Sequence, residues 1–230
     1  MMNVKKKWSG RLKILGLDLG IMLLSFFASV IIIILLVKLV FFEPGNRIDA
    51  AAFDFMAGYV SDTNTGIMEF FSFLGSHRFL VPANILLIVY AIFIQKKTWW
   101  AIKLLSISLS SLILMFSLKA LFNRPRPDTP LLYEVPGLSF PSGHAFMSFT
   151  FYGLLIYIVF KEIQQPLLRY LISFLLFATI IFIGISRIYL RVHYITDVAA
   201  GFCLGMIWLV ISLYGLNMME INKAKLPQVD

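Results

Sequence analysis

Charge is scarce in this chain. Asp, Glu, Lys and Arg make up 14% of its 230 residues, against 60% hydrophobic ones. A water-soluble domain carries roughly 25% charge, so that class is excluded. Cysteine is nearly absent: Cys203 is the single one. No internal disulfide and no multi-cysteine metal site can form, and its apolar run suits packing. Internal repeats and low-complexity tracts are missing too, which leaves one domain over residues 1–230 with no separate soluble module. What remains has a mean hydropathy of +0.87, the mark of a polytopic membrane protein. The net charge of +8 does not point to nucleic acid, because the basic residues sit at the ends of apolar runs. A basic inner face against anionic membrane lipids accounts for it.

Six apolar runs approach the length a bilayer core requires, about 20 residues. They cover roughly 14–42, 79–95, 99–122, 144–160, 167–186 and 195–216. The expected fold is all-α, a bundle of six transmembrane helices. The first run is too long for the apolar core of a cleaved signal and reads as a retained span, with Asp18 at its interface. Pro44-Gly45 is expected to end it. Residues 43–76 read as short interfacial helices between the first and second spans. In the first of these, Ile48, Ala52, Phe55, Met56 and Tyr59 share one face, with Asp49 and Asp54 elsewhere. Ser61-Asp62-Thr63-Asn64 reads as a turn and cap. In the second helix, Phe70, Phe71 and Phe73 either wall a lipid site or brace the bundle.

Orientation follows from charge. With the amino end inside, the inner segments hold twelve basic residues against three acidic ones, and the outer segments eight against eight. The positive-inside bias therefore puts both termini in the cytoplasm. Trp99 and Trp100, after Lys96-Lys97, fit an aromatic anchor at the inner interface.

The charges that break the pattern form two polar islands. One runs from Lys119 through Asn123-Arg124-Pro125-Arg126-Pro127 to Pro141-Ser142-Gly143-His144; the other runs from Ser186-Arg187 through Arg191 and His193 to Asp197. The first joins spans three and four and the second joins spans five and six, so both lie on one side of the membrane, the outer one by charge. Polar groups beside spans are costly and mark a functional site by default. Lys119, Arg126 and Arg187 are fixed cations, and Arg forks match phosphate oxygens. Ser142 is a natural helix cap and Gly143 lets a ligand approach the backbone. The helix start they make is an anion site. His193 and Asp197 are four apart, so one helical turn stacks them and the carboxylate orients the imidazole. Together these are the parts for phosphoryl transfer through a histidine.

Plainer readings exist for several of them. Lys119 and Arg126 could be span-end anchors, Ser142 a cap only, and His193 with Asp197 an interfacial pair or metal ligands. A metal site wants further ligands, and the outer loops offer His77, Asp128 and Glu134 among repelling cations, so no metal is expected. His77 reads as interfacial. Arg124 and Arg191 are either solvated or in contact with a headgroup or second phosphate.

Lys119 with Arg126-Pro127, then Pro141-Ser142-Gly143-His144, then Ser186-Arg187 with His193 and Asp197, resembles the three-part signature of the type 2 phosphatidic acid phosphatase superfamily. The resemblance covers about 80 residues directly, 119–197. It implies a metal-independent lipid phosphatase of the cell membrane with no cofactor. His193 would be the nucleophile that forms a phosphohistidine, Asp197 its orienter, and His144 the acid for the leaving oxygen. Lys119, Arg126, Ser142, Gly143 and Arg187 would hold the phosphoryl oxygens. Many members carry a small residue where this chain has Arg191. The substrates to consider are undecaprenyl diphosphate, phosphatidylglycerophosphate and phosphatidic acid. A lipid phosphotransferase with a non-water acceptor, a non-enzymatic transport or assembly protein, and a site for a soluble substrate are the alternatives. No feature sets an oligomeric state.

The topology is open to a direct test. A cysteine placed at Asp128 should react with a membrane-impermeant reagent in intact cells and one at Lys97 should not; the reverse labelling would invert the orientation.

Overall fold

The computed structural model describes residues 2–43 and 47–225, with side chains described at 20, 23–43 and 47–223. The expected break at Pro44-Gly45 and the side chain of Asp18 lie outside the described residues. Among those described, every regular element is a helix. In chain order they are α1 (Met2–Phe41), α2 (Arg47–Ala57), α3 (Asp62–Leu74), α4 (His77–Val89, continued by a π-helical turn, Tyr90–Ile94), α5 (Thr98–Phe122), α6 (Gly143–Glu162), α7 (Pro166–Tyr189) and α8 (Ile195–Lys225). Six of them are long and apolar enough to cross a membrane, and they are the six read from the sequence. The fifth runs one turn past its expected end, so Ser186 and Arg187 of the second island are helical.

Local chemistry fixes the helix ends nearest the islands. Ser61 caps α3, accepting from the Asn64 amide at 3.3 Å, and Ser142 caps α6, accepting from the Ala145 amide at 3.5 Å. Side-chain caps of this kind satisfy amides that the helix itself leaves bare. At the end of α5, Asn123 turns left-handed with φ 47°, a conformation asparagine tolerates.

α6 is the central post, packed against α5, α7 and α8. Phe151 and Tyr152 join Leu80, Ile180 and Ile183 on one side; Leu154 joins Leu104, Ile107, Leu209 and Leu213 on another. Packing in a bilayer gains little from the hydrophobic effect, so close backbone approach matters more. Gly201 supplies it: a Cβ there would stand 2.8 Å from both the Ser142 carbonyl and the Ala145 methyl. That contact draws the start of α8 onto the start of α6, and the Ser142 amide donates to the Asp197 carbonyl at 3.0 Å. Both islands therefore meet at one end of the bundle.

The segment before α4 differs in part from its sequence reading. In α2, Ile48, Phe55 and Tyr59 of the apolar face are exposed, as in an interfacial helix, but Asp49 is 3% exposed. The inward face carries Asp49, Ala52, Phe53 and Met56, spaced as a helical stripe. An acid takes the core side because partners wait there, as described below. α3 braces α7, with Phe71 stacked on Phe182 at 4.8 Å. Phe70 and Phe73 stay exposed, and no α3 residue lines the cavity described below. At the opposite end, Lys103 is 2% exposed and bonds Glu220 at 2.6 Å, and Trp100 donates to Glu162 at 2.8 Å.

Gly201→Ala should cost about 1–3 kcal/mol, the scale of overpacking, whereas Gly66→Ala, with nothing within 4 Å of the added carbon, should be neutral or stabilising. Thermal unfolding in detergent reads both.

Candidate active site

His144 and His193 share the wall of one cavity of about 520 Å³, which His77 also lines. Its polar end is built from Lys119, Arg126, Gly143, His144 and His193. His144 stands in the first turn of α6, where the amides of Gly143 and His144 have no carbonyl one turn back to bond. Its ring is seated by Gly75: a Cβ there would meet His144 Cδ2 at 3.3 Å and Ile183 Cγ2 at 2.5 Å. The rest of the cavity is largely apolar. It runs along α4 past Leu80, Val81, Ile85 and Ile88, and along α5 past Met115, Leu112, Leu109 and Leu105. Val81, Ile85, Leu105 and Leu109 are more than half exposed, so the groove is open along its flank.

His193 lies in the turn between α7 and α8 and is 1% exposed. Its Nδ1 is 3.6 Å from Asp197 Oδ2, beyond hydrogen-bond reach, and the hydroxyl of Ser139 fills the gap. Ser139 Oγ donates to Asp197 Oδ2 and lies 3.3 Å from His193 Nδ1. With its proton given to the carboxylate, the hydroxyl can only accept from the ring, so Nδ1 carries the hydrogen and Nε2 the lone pair. That lone pair meets Arg126 Nη1 at 3.3 Å. Burial, reinforced by the positive fields of Arg126, Arg187 and Lys119, holds the imidazole well below the ordinary histidine range, against a smaller opposing effect of a hydrogen bond to the Ser139 backbone. Burial likewise lowers Arg126 from its usual value.

The cations are not equivalent. Lys119 donates to the Leu138 carbonyl, and Arg126 to the Gly137 carbonyl at 3.2 Å and the Val192 carbonyl at 2.9 Å. They hold the 123–142 loop over the site while their remaining donors face the cavity. Arg187 is 4% exposed and stands behind it, bonded to Ser72 Oγ, with its Nε buried and unpartnered. Ser142 serves as a cap, so its hydroxyl and amide are both engaged within the protein.

Arg124 faces neither solvent nor a headgroup. Its guanidinium donates to Asp197 at 2.6 Å, Thr196 at 2.9 Å and Asp49 at 2.7 Å, and lies 4.0 Å over the Tyr194 ring. Two buried carboxylates draw it inward. Asp49 also accepts from the Thr196 amide at 3.1 Å and hydroxyl at 2.9 Å. Arg191 faces away from the groove, on a second cavity of about 320 Å³ with Arg126, Asp128 and Glu134. Its φ of 52° explains why a small residue suits the position, because only glycine takes that conformation without a Cβ penalty.

Ser139, Asp49, Thr196, Ser72 and Gly75 escaped the sequence reading. Ser139 had a signal, two residues before Pro141 inside the first island. The Asp49–Ala52–Phe53–Met56 stripe was another, a rival to the one chosen. Ser72 and Gly75 carry none.

The model of the PAP2 superfamily matches residues 100–219, more than half of the chain and all of both islands. The chain belongs to the PAP2 superfamily. Phosphatidylglycerophosphatase B of Bacillus subtilis (strain 168) is 33% identical over 154 residues, which is 65% of this chain and 71% of that protein. The crystal structure of a transmembrane PAP2-type phosphatidylglycerolphosphate phosphatase from Bacillus subtilis superposes with TM-score 0.74 at 24% identity, over 89% of this chain and 98% of that one. The structure of Aquifex aeolicus LpxE gives 0.56 at 31% identity, over 70% and 92%. As a PAP2 protein the chain is an enzyme of the lipid phosphatase class, in the six-helix membrane fold read from its sequence.

Two measurements follow from this geometry. In ¹⁵N spectra of histidine-labelled protein, the signal lost in His193→Asn should be that of a neutral ring protonated on Nδ1 at pH 6, where an ordinary histidine of pKa about 6.5 is mostly charged; a charged ring there would contradict the geometry. An attacking imidazole has to be neutral, so a lowered pKa would move the acid limb of kcat/KM to lower pH. Arg191→Gly should raise stability by about 1 kcal/mol by relieving the left-handed backbone and leave monoester hydrolysis nearly unchanged; a loss of stability would contradict this.

Proposed function

We propose that the protein removes a terminal phosphate from a membrane lipid through a phosphohistidine, without a metal, on the outer leaflet. One juxtaposition carries the reading: the His193 Nε2 lone pair opens, among Lys119, Arg126 and the start of α6, onto an apolar groove with an open flank. The phosphate displaces Arg126 from Nε2, and the guanidinium swings its donors onto the phosphoryl oxygens with Lys119. Arg187, with an unpartnered Nε just behind, adds charge. The free amides of Gly143 and His144 complete the cradle.

Nε2 then attacks phosphorus in line. The P–O bond to the lipid breaks as His144 gives its proton to the departing oxygen, and the positive charge formed on His193 is shared through Ser139 with Asp197. Water next attacks the phosphohistidine, His144 takes the water proton, and inorganic phosphate leaves. Cations balance the phosphate charge in both steps, so no metal has a task. Two observations favour a glycerolipid over a soluble ester: the groove has room for a hydrocarbon chain alongside the site, and both Bacillus subtilis relatives are named for phosphatidylglycerophosphate. The positive-inside charge bias supports the outer leaflet.

A single-turnover experiment separates the histidines. With nitrophenyl phosphate the leaving group needs no acid, so His144→Ala should keep a nitrophenol burst and His193→Ala should lose it. On a lipid phosphate His144→Ala should lose about 100- to 10,000-fold. A burst that survives in His193→Ala but not in His144→Ala would exchange the two roles. A chelator should leave activity intact and vanadate should inhibit; loss with chelator restored by magnesium would overturn the metal-free mechanism.

A further inference from the structure

The groove that leaves the catalytic end is apolar on almost every wall, and Asn84 interrupts it. Asn84 lies on the same α4 stripe as His77, Leu80, Val81, Ile85 and Ile88. Seven residues separate it from His77 at the mouth, about 10 Å along the helix axis. Its Oδ1 is buried with no hydrogen-bond partner among the described residues. Buried amide groups are almost always bonded, and an orphan calls for an explanation. A leucine would fill the same space without that cost, so the amide is a liability unless a ligand meets it. Ser108, on α5, adds a hydroxyl to the lining.

The position narrows what such a ligand is. It sits below the cationic end and above the deep hydrocarbon end, between Val81 and Ile85 on its own helix. A lipid lying in the groove with its phosphate at His193 passes Asn84 at the link between headgroup and chains. In a glycerolipid that link holds acyl esters, whose carbonyl oxygens accept an N–H. In a polyprenyl phosphate the same stretch is hydrocarbon and returns nothing to the amide. The amide's oxygen and nitrogen fit the same space either way round, so the N–H can take the place of the orphan oxygen and donate to an ester carbonyl while the oxygen accepts from a water.

We propose that Asn84 is a specificity residue that recognises the ester link of a diacylglycerol-based lipid phosphate, selecting it over polyprenyl phosphates. This rests on the lipid phosphatase reading above and names its substrate class. Asn84 touches no reacting atom, so its effect belongs to lipid recognition and not to phosphoryl transfer.

The test uses the full chain in mixed micelles with four substrates: a diacylglycerol phosphate, its dialkyl ether analogue, a polyprenyl phosphate and nitrophenyl phosphate. Wild type should prefer the ester over the ether lipid in kcat/KM by about 3- to 10-fold, the value of one neutral hydrogen bond. Asn84→Leu should abolish that preference, hold or improve the polyprenyl rate, and leave nitrophenyl phosphate turnover unchanged. Equal wild-type rates on ester and ether lipids overturn the proposal with no variant needed. So does an ester preference that survives in Asn84→Leu, or an equal loss on all four substrates. No turnover of any lipid beside normal nitrophenyl phosphate turnover would instead sink the lipid phosphatase reading itself.

Discussion

A carboxylate with no exposed surface has to be neutralised where it stands, and the site is arranged around that requirement. Asp197 is 0% exposed and accepts from Arg124, from Ser139 and from the Tyr194 amide. Leaving such a charge without partners costs several kcal/mol. The partners come from three separate stretches: the loop after α5, the segment before α6, and the turn before α8. Satisfying one ion therefore fixes the relative position of the two islands. Asp49 extends the arrangement, because Arg124 carries more donors than Asp197 can use and the surplus anchors α2 across the bundle end.

The same arrangement sorts charge by task. Arg124 is spent on carboxylates, and Lys119 and Arg126 on loop carbonyls that a phosphate can outbid. Arg187 keeps a buried Nε with no partner. Cations close enough to repel one another are tolerable at a membrane surface only if an anion joins them. The depressed basicity of His193 has the same origin, since burial and neighbouring positive charge both oppose a further proton.

The six spans were legible because apolar length is a collective signal that no single residue can spoil. The residues of the candidate site stood out in the sequence because charged and imidazole side chains are expensive beside a bilayer. The supporting set was not. Ser139 and Thr196 are common residues whose importance comes from a gap of about one hydroxyl between larger groups. Ser72 matters because α3 happens to lie against Arg187, and nothing local announces it. Asp49 was read only as lying off the apolar face of α2, and its tertiary partners hold it on the buried side. Arg124 and Arg191 looked alike as loose cations near the motifs. Buried acids claimed one, and a left-handed turn set the direction of the other.

A groove open along its flank to hydrocarbon changes what concentration means for this protein. Lipid can slide in sideways between α4 and α5 without leaving the leaflet, so encounters occur in two dimensions. The quantity that fills the site is then the mole fraction of substrate in the surrounding lipid or detergent, not its amount per litre. Added detergent acts as a diluent even when it neither binds nor unfolds the protein, and a saturation constant quoted in molar units describes the micelle as much as the enzyme.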